Sequence, residues 1–345
     1  MTIQRKAIPN DKQLPVYLYE LNNNKGTTIK ITNIGCTITS ITTPDRDGKI
    51  EEIALGFDDP MTYLSEDYLK NCSHFGATAG RYAGRIAKGQ FNLLGKTYQL
   101  AVNDGENHLH GGPKGFHQKI WEGTIKDNQL IMKLESPHND EGYPGSLKVE
   151  ITITLTAEHE LIIDYFAKTT HATPVNLTNH TYFNLSGLPG NILNHEVMIM
   201  ADHYTPDING IPTGEITSVK NTPFDFSTFT AIGERINQLP ENNYNHNFVL
   251  NQGKDELARA SIVKENISGR ILEVFTTLPA IHFYTASYLD GTYSRGSRKF
   301  NSFEGFCMET QQFPDAPNKP QFADAIVTPD KPFKHTTIFK FSTDK

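Results

Sequence analysis

Apolar and polar residues alternate along much of the chain with a period of two. In the segment 147–156, LKVEITITLT, every second residue is apolar and the residues between them are Lys, Glu or Thr. This spacing predicts a β-strand with one buried face and one exposed face. The AEHE sequence that follows is typical of a turn, and 161–167 is predicted to return as a second strand.

The same pattern predicts an all-β protein with a few short helices. The other predicted strands are 27–34, 37–43, 128–135, 195–200, 271–276, 280–285, 303–311 and 335–342. Helical periodicity is limited to 60–70 and 230–239, and neither segment is long enough to cover a sheet. Many short strands joined by turns favour a sandwich or barrel over βαβ folds. Because there is no internal repeat and no linker, we expect a single domain over 1–345.

Composition and charge exclude several classes of protein. The chain has 37% hydrophobic residues, with 20 Phe and 14 Tyr, which is enough for a large core. The net charge of −7 argues against a nucleic-acid partner or an anionic membrane surface. No apolar run is long enough for a membrane span, and the N-terminus has no signal-like apolar stretch. Three widely spaced cysteines, Cys36, Cys72 and Cys307, favour reduced thiols and a cytoplasmic location.

Two segments in the first third of the chain carry candidate functional residues. The segment ATAGRYAGRIAKGQF (77–91) holds Arg81 and Arg85 among small residues, which would let a guanidinium approach hydroxyls or carboxylates closely. The segment NHLHGGPKGF (107–116) holds His108 and His110, which would share one face of a strand. Such a pair could be half of a metal site. It could equally be a hairpin rim, just as both arginines could be solvated or paired with acids.

Two later segments offer groups for proton transfer. In PVNLTNHTYFNLSG (174–187), His180 lies in a strip of Asn, Thr and Ser residues suited to binding sugar hydroxyls. In FEGFCMETQQFPDAPN (303–318), Glu309 shares a strand face with Cys307 and Gln311, and partial burial would raise its pKa towards that of a general base. The plainer interpretations are an Asn-rich sheet edge and a solvated glutamate. Together, a carboxylate and a histidine could move protons at two oxygens of a sugar.

These segments, with several others, resemble the aldose 1-epimerase (galactose mutarotase) family over nearly the whole chain. The similarity includes NIGCTITSITTPDRDG (33–48), EGYPG (141–145), IPTGEI (211–216), TPFDF (222–226) and HNFVL (246–250), in the order of the family. The resemblance implies a large, mostly antiparallel β-sandwich with an open concave face. It also implies interconversion of the α and β anomers of free aldoses without a metal or cofactor. The expected partner is a monosaccharide or disaccharide, and the expected state is a monomer or homodimer.

The resemblance also implies the roles of individual residues. Glu309 corresponds to the general base at the C1 hydroxyl and His180 to the general acid at the ring oxygen. His110 would hold the sugar near that oxygen, Arg85 would bind a hydroxyl, and Tyr182 would line the site. A further motif, YNHNFVL, places Asn245 where the family usually has Asp, so Asn245 is expected to bind sugar hydroxyls.

Two other positions depart from the family pattern, and the departures leave substrate preference open. Gly84 stands where many members have Asn, and His282 stands where many have Gln. Acid and base are kept, so the resemblance implies the reaction class but not the preferred sugar.

Three alternatives remain open at this stage. A metal-dependent cupin-like isomerase would use His108 and His110 together with further ligands. A sugar-binding module could keep the fold and lack activity, as the change at Asn245 allows. An enzyme acting on hexose 6-phosphates would need a cluster of basic residues, for which Arg81 and Arg85 are the candidates.

Overall fold

The largest sheet has nine antiparallel strands and contains the hairpin predicted at 147–167. In this computed structural model, which describes residues 1–187, 189–253 and 255–344, the hairpin pairs Leu147–Leu155 with Glu160–Thr169. The strands run in the spatial order Glu122–Lys126, Gln129–Ser136, Leu147–Leu155, Glu160–Thr169, Phe333–Thr343, Arg270–Thr276, Ala258–Lys264, Glu196–Ile199 and Thr230–Ala231. Burial alternates along Leu147–Leu155 as the sequence predicts, so one face of the sheet is apolar.

A second sheet of seven strands packs against this apolar face. Its strands run in the order Thr217–Ser218, His203–Thr205, Asn245–Val249, Ala280–Tyr284, Phe306–Gln311, Tyr182–Phe183 and Ala54–Leu55. Ile153 and Phe339 of the first sheet share one buried cluster with Phe248, Phe283 and Phe306 of the second. The two sheets therefore form a sandwich around a common core, which confirms the predicted fold class.

A five-stranded sheet and several short pairs complete the described structure. The five-stranded sheet contains, in order, Thr2–Ala7, Tyr17–Asn22, Thr28–Thr32, Thr37–Pro44 and Ile50–Glu52. The two-stranded pairs are Gln90–Leu93 with Lys96–Gln99, Arg85–Ile86 with His108–Leu109, Thr173–Pro174 with Ile326–Val327, Thr78–Ala79 with Thr178–Asn179, Asp207–Ile208 with Ile211–Pro212, and Asp290–Arg295 with Arg298–Asn301.

The helices are short, as predicted. The α-helices are Glu66–Lys70 and Ile232–Arg235, and the 3-10 turns are Pro60–Leu64, Ala87–Gly89, Phe116–Gln118, Asp140–Gly142, Ile236–Gln238, Pro240–Asn242 and Ala316–Asn318. Both α-helices fall within the two segments whose periodicity is helical. Within the described residues, no helix has the length and apolar character needed to cross a membrane.

Every strand predicted from alternation is present, with ends that differ by a few residues. Strands with polar sequences were not predicted. The strand Asn245–Val249, with the sequence NHNFV, is one of these, and it forms part of the wall of the main cavity described below. Its polar side chains face that cavity or neighbouring amides, so the alternation rule gives no clear signal for it.

Candidate active site

A cavity of about 310 Å³ lies at the seven-stranded sheet, and it is called the main cavity below because it contains the predicted site residues. Strands Asn245–Val249, Ala280–Tyr284 and Phe306–Gln311 form its floor, and loops from both halves of the chain form its walls. The residues that line it are Asn71, Cys72, Ser73, His74, Gly84, Arg85, Leu109, His110, His180, Tyr182, Gly210, Asn245, His282, Tyr284, Tyr288, Leu289, Glu309, Gln311 and Pro314. All six site residues named from the sequence are in this set.

Glu309 and His180 form the centre of the cavity. Glu309 lies on the strand Phe306–Gln311, where Phe306 and Met308 point into the common core and leave Glu309 on the cavity face. The Oε1 atom of Glu309 is 3.6 Å from Nε2 of His180. Both side chains are more than nine-tenths buried. The predicted acid and base therefore lie side by side.

Burial sets the protonation of this pair. Desolvation raises the pKa of Glu309 to about 8, although the Arg85 guanidinium opposes the rise. Burial, followed by the charge of His74, holds the pKa of His180 well below its usual range. Below about pH 8 the pair therefore retains one proton, which resides on Glu309. The prediction of a raised pKa for Glu309 from partial burial agrees with this geometry.

His110 donates into the cavity from a constrained backbone. Its Nδ1 accepts a hydrogen bond of 3.2 Å from the backbone N–H of Gly84. Burial and the neighbouring His74 and His180 keep the pKa of His110 well below its usual range, so the ring is neutral and its proton is on Nε2. Gly84 has φ of +76°, a conformation that Gly adopts freely and Asn tolerates. At the next residue, Gly111, an added Cβ would collide with the backbone carbonyl of Gly80, so no side chain fits there.

Arg85 and Asn245 bring polar groups to the opposite side of the cavity. Arg85 Nε donates to Asp104 Oδ2 at 2.6 Å, which fixes the guanidinium. Asn245 Oδ1 lies 2.7 Å from Nε2 of His282, and His282 is paired in register with Glu309 on the next strand. Asn245 and His282, two of the three residues that differ from the family pattern, are thus hydrogen-bonded to each other. The third, Gly84, donates its backbone N–H to His110.

Tyr182 contributes an aromatic surface. Its ring stacks on His180 with centroids 5.0 Å apart, and its hydroxyl donates to the carbonyl of Ser73 at 2.8 Å. The hydroxyl is therefore already used, and the ring both lines the cavity and holds the imidazole of His180 in place.

Other candidates from the sequence have structural roles. Arg81 is buried and donates to the carbonyl oxygens of Ser136, Pro144 and Gly145, so it is neither a ligand nor solvated. His108 bonds through Nδ1 to the carbonyl of Ala101 and through Nε2 to the Tyr143 hydroxyl. The proposed sharing of a face by His108 and His110 is wrong, because His110 has φ of +49° and the strand ends before it.

The amides around His180 also bind backbone rather than ligand. Asn176 donates to the carbonyls of Ala83 and Gln312, and Asn179 donates to that of Gly76. The interpretation of this strip as a sugar-binding surface is therefore wrong for these two amides. They connect the loop that carries His180 to the segment 76–83.

Sequence reasoning missed one group of side chains at the cavity wall. Cys72 and His74 line the cavity, and His117 packs on His74 with ring centroids 4.5 Å apart. Burial alone would raise the pKa of Cys72, but the two imidazoles outweigh it and hold that pKa well below its usual range. No motif links these residues, and only the fold brings the turn Phe116–Gln118 beside residues 72–74.

Two groups of side chains have donor atoms close enough to hold a metal ion. One is Cys72, His74 and His117, and the other is His110, His180 and Glu309; in each, the donor atoms lie within 4.8 Å of one another. The second group can also act without metal, because a buried carboxylate and an imidazole provide a proton acceptor and donor on adjacent atoms.

Comparison with known proteins is consistent with this geometry. The sequence model of the family described as "Aldose 1-epimerase" matches residues 17–340. The chain is 44% identical over 317 residues to galactose mutarotase of Bos taurus, covering 91% of both chains, and equally similar to that of Homo sapiens. It is 34% identical to aldose 1-epimerase of Escherichia coli, covering 99% of both.

Solved structures give the same result. The GalM/aldose epimerase homologue from C. elegans aligns with a TM-score of 0.88 and 27% identity, over 95% of this chain and 99% of that one. Galactose 1-epimerase from Lactobacillus acidophilus aligns with a TM-score of 0.84 and 27% identity, over 100% and 99%.

Proposed function

Because the chain belongs to the aldose 1-epimerase family and interconverts the anomers of aldoses, we propose that Glu309 and His180 transfer the two protons of this reaction. Glu309 accepts the proton of the C1 hydroxyl, and His180 donates a proton to the ring oxygen. The bond between C1 and the ring oxygen breaks, and the aldehyde rotates about the C1–C2 bond. Ring closure with the roles reversed gives either anomer and restores both groups.

The distance of 3.6 Å between Glu309 and His180 is the observation that carries this assignment. The C1 hydroxyl oxygen and the ring oxygen are bonded to the same carbon, so the two proton-transfer groups must be close together. The reaction moves one proton onto Glu309 while another leaves His180, so the pair needs one proton at the start. That proton must lie on His180, with Glu309 ionised, when the sugar reacts, and a pKa of about 8 makes the ionised Glu309 carboxylate a base strong enough to take the proton of the C1 hydroxyl.

We assign substrate binding to four other residues. His110 donates from Nε2 to the ring oxygen or a neighbouring hydroxyl, since its Nδ1 is held by Gly84. Arg85, fixed by Asp104, and Asn245 bind hydroxyls at the other side, and the Tyr182 ring packs against the sugar beside His180. Donors with fixed positions, of which the one cation Arg85 is paired with Asp104, suit a neutral, polyhydroxylated substrate.

The names of the relatives favour galactose, and glucose differs from it at one hydroxyl only, so we propose both as substrates. A second cavity of about 680 Å³ adjoins the first and shares Arg85, Gly210, Asn245 and Tyr288 with it. This second cavity supports a role for disaccharides such as maltose, whose reducing ring would occupy the main cavity. Hydroxyl-bearing and acidic side chains there, including Asp207 and Glu241, suit a second sugar ring.

The other candidate functions have less support. For a hexose 6-phosphate, the described lining of the main cavity offers one Arg or Lys, Arg85, and Asp104 already neutralises it. For a cupin-like metal isomerase, His108 is turned towards Ala101 and Tyr143. An inactive sugar-binding module would not require Glu309 and His180 to lie side by side.

We further propose that the whole chain acts as one domain in the cytoplasm, as a monomer or homodimer. Residues from Cys72 to Gln311 line one cavity, which argues for a single functional unit. The three cysteines are free, as expected in a reducing compartment.

Polarimetry of freshly dissolved α-anomers tests the proposed reaction and its substrates. Galactose, glucose, xylose and maltose should each be measured with and without protein. We expect acceleration for galactose and glucose. A lack of acceleration for all four sugars would contradict the proposal, and acceleration of maltose alone would make the second cavity part of the principal site.

A further inference from the structure

Cys72, His74 and His117 form a compact group at one wall of the main cavity. Cys72 and His74 follow the helix Glu66–Lys70, and His117 comes from the turn Phe116–Gln118. One donor atom from each side chain lies within 4.8 Å of the other two. Tetrahedral coordination with bonds of about 2.0–2.3 Å places ligands roughly 3.3–3.8 Å apart, so a small adjustment of side chains would suffice.

Two of the ring nitrogens in this group make no hydrogen bond, although both rings interact electrostatically with the Cys72 thiol. His74 and His117 are 8% and 6% exposed, and the buried atoms Nε2 of His74 and Nδ1 of His117 make no hydrogen bond within the described part of the chain. Most buried polar atoms in proteins have a partner, so both call for an explanation. Gly115 leaves space beside Nδ1, because a Cβ there would lie only 3.1 Å from this nitrogen.

We propose that Cys72, His74 and His117 form a binding site for Zn²⁺. One sulfur and two imidazole nitrogens are a ligand set that Zn²⁺ favours, and hard cations such as Mg²⁺ or Ca²⁺ do not. A bound ion would satisfy the unpaired ring nitrogens. Cys72 and His74 also line the main cavity, so the fourth coordination position opens towards it.

The surroundings of His117 place one condition on this site. If Nδ1 of His117 binds the ion, Nε2 carries the ring proton and needs an acceptor. The side-chain amide of Gln118 lies 3.0 Å from Nε2, so its oxygen must turn towards the ring when the ion binds. Gln118 is then the residue that orients His117.

Bound zinc would compete with the sugar for space in the main cavity. The ion and its fourth ligand would lie on the wall beside His110, whose ring centroid is 4.9 Å from that of His74. We therefore expect Zn²⁺ to raise KM for the sugar severalfold and to leave kcat nearly unchanged. The expected effect of Zn²⁺ on KM rests on the proposed function, whereas the binding of the ion does not.

Cobalt is a suitable probe because a thiolate bound to Co²⁺ gives a charge-transfer absorption in the near ultraviolet. The metal-free protein should be titrated with Co²⁺ and then with Zn²⁺. We expect one Co²⁺ per chain, the thiolate band, and its loss when Zn²⁺ displaces Co²⁺. In Cys72→Ser the band should vanish and the affinity for Zn²⁺, measured calorimetrically, should fall at least about 100-fold.

Control variants identify which group binds the ion. His117→Asn should weaken binding as Cys72→Ser does, and a melting curve for each variant establishes that it folds. His171→Asn removes an exposed imidazole and should bind normally. No thiolate band, or binding lost in Glu309→Gln and kept in Cys72→Ser, would overturn the site.

Activity separates the two parts of the inference. If one Zn²⁺ binds per chain but KM for the sugar is unchanged, the proposed inhibition is wrong and the proposed binding site still stands. If the protein binds Zn²⁺ as expected but does not accelerate mutarotation in its metal-free state, only the proposed function is refuted.

Discussion

Substitution of Asn245 by Asp should change substrate ranking more than chemistry. Asn245 Oδ1 lies 2.7 Å from His282 Nε2, so this oxygen accepts a hydrogen bond from the His282 ring. The amide N–H groups of Asn245 are then left to donate to sugar hydroxyls. In Asn245→Asp one carboxylate oxygen keeps the bond to His282, while the second can only accept from a sugar hydroxyl.

The expected magnitude follows from the difference between neutral and charged hydrogen bonds. A neutral bond contributes about 0.5–1.5 kcal/mol and one to a charged group about 1.5–3 kcal/mol, so the gain is about 1 kcal/mol. That gain corresponds to a decrease in KM of roughly fivefold for sugars whose hydroxyl donates to residue 245. Sugars that need a donor from this residue should bind less well. Because the contact persists through ring opening, kcat should stay nearly constant.

The assay is kcat and KM for galactose, glucose, xylose and maltose on both proteins. Asn245→Ala is the matched control, since it removes both the donor and the acceptor and should raise KM for every sugar that contacts residue 245. A uniform change of kcat across all four sugars would refute the reasoning, because residue 245 would then act in proton transfer. Unchanged KM in both variants would mean that the side chain does not contact the sugar.

Three further predictions concern pH, metal and stability. The Glu309–His180 pair holds a proton below the raised pKa of Glu309, so kcat/KM corrected for spontaneous mutarotation should fall as pH rises through about 8. A rise of kcat/KM over this pH range would mean that ionised Glu309 suffices alone. EDTA should leave kcat for mutarotation unchanged, and a loss of kcat restored by added metal would favour metal-dependent catalysis. Arg81→Ala should lower the free energy of unfolding by roughly 3 kcal/mol, because it leaves buried carbonyls such as that of Gly145 without donors; denaturant melts of both proteins measure this, and an unchanged midpoint would refute it.

The sheets could be predicted from sequence because alternation reports burial directly. The hairpin 147–167 has one apolar and one polar face, and the apolar face packs on the second sheet. The strand Asn245–Val249 could not be predicted in this way, because its environment is a polar cavity rather than solvent and core. Its place depends on pairing with Ala280–Tyr284, which is a contact between segments distant in sequence.

The site residues could be named from motifs, but their partners could not. The surrounding segments and the family resemblance both point to Glu309 and His180, while the distance between them depends on strand pairing and on the loop that carries His180. The role of Arg81 was equally hidden, because its sequence neighbours resemble those of Arg85. Hydrogen bonds to four backbone carbonyls make Arg81 structural, and exposure to the cavity makes Arg85 available.

The contacts among Cys72, His74 and His117 could not be predicted from the sequence. Cys72 and His74 lie far from His117 in sequence, and none of them belongs to a recognisable metal motif. Because His117 packs on His74 at the cavity wall, a histidine chosen as an inert control for catalysis must lie elsewhere. His171, which is exposed and outside the lining of the main cavity, serves better.

The most direct test of the proposed mechanism is polarimetry of α-galactose with Glu309→Gln and His180→Asn. Both variants keep similar side-chain volume and some hydrogen bonding, so a loss of rate reports proton transfer. We predict that each lowers kcat at least 10²-fold, by the usual contribution of positioned acid–base groups, while His171→Asn keeps the wild-type rate. Near wild-type turnover in either variant, with the protein folded, would contradict the assignment of Glu309 as base or His180 as acid.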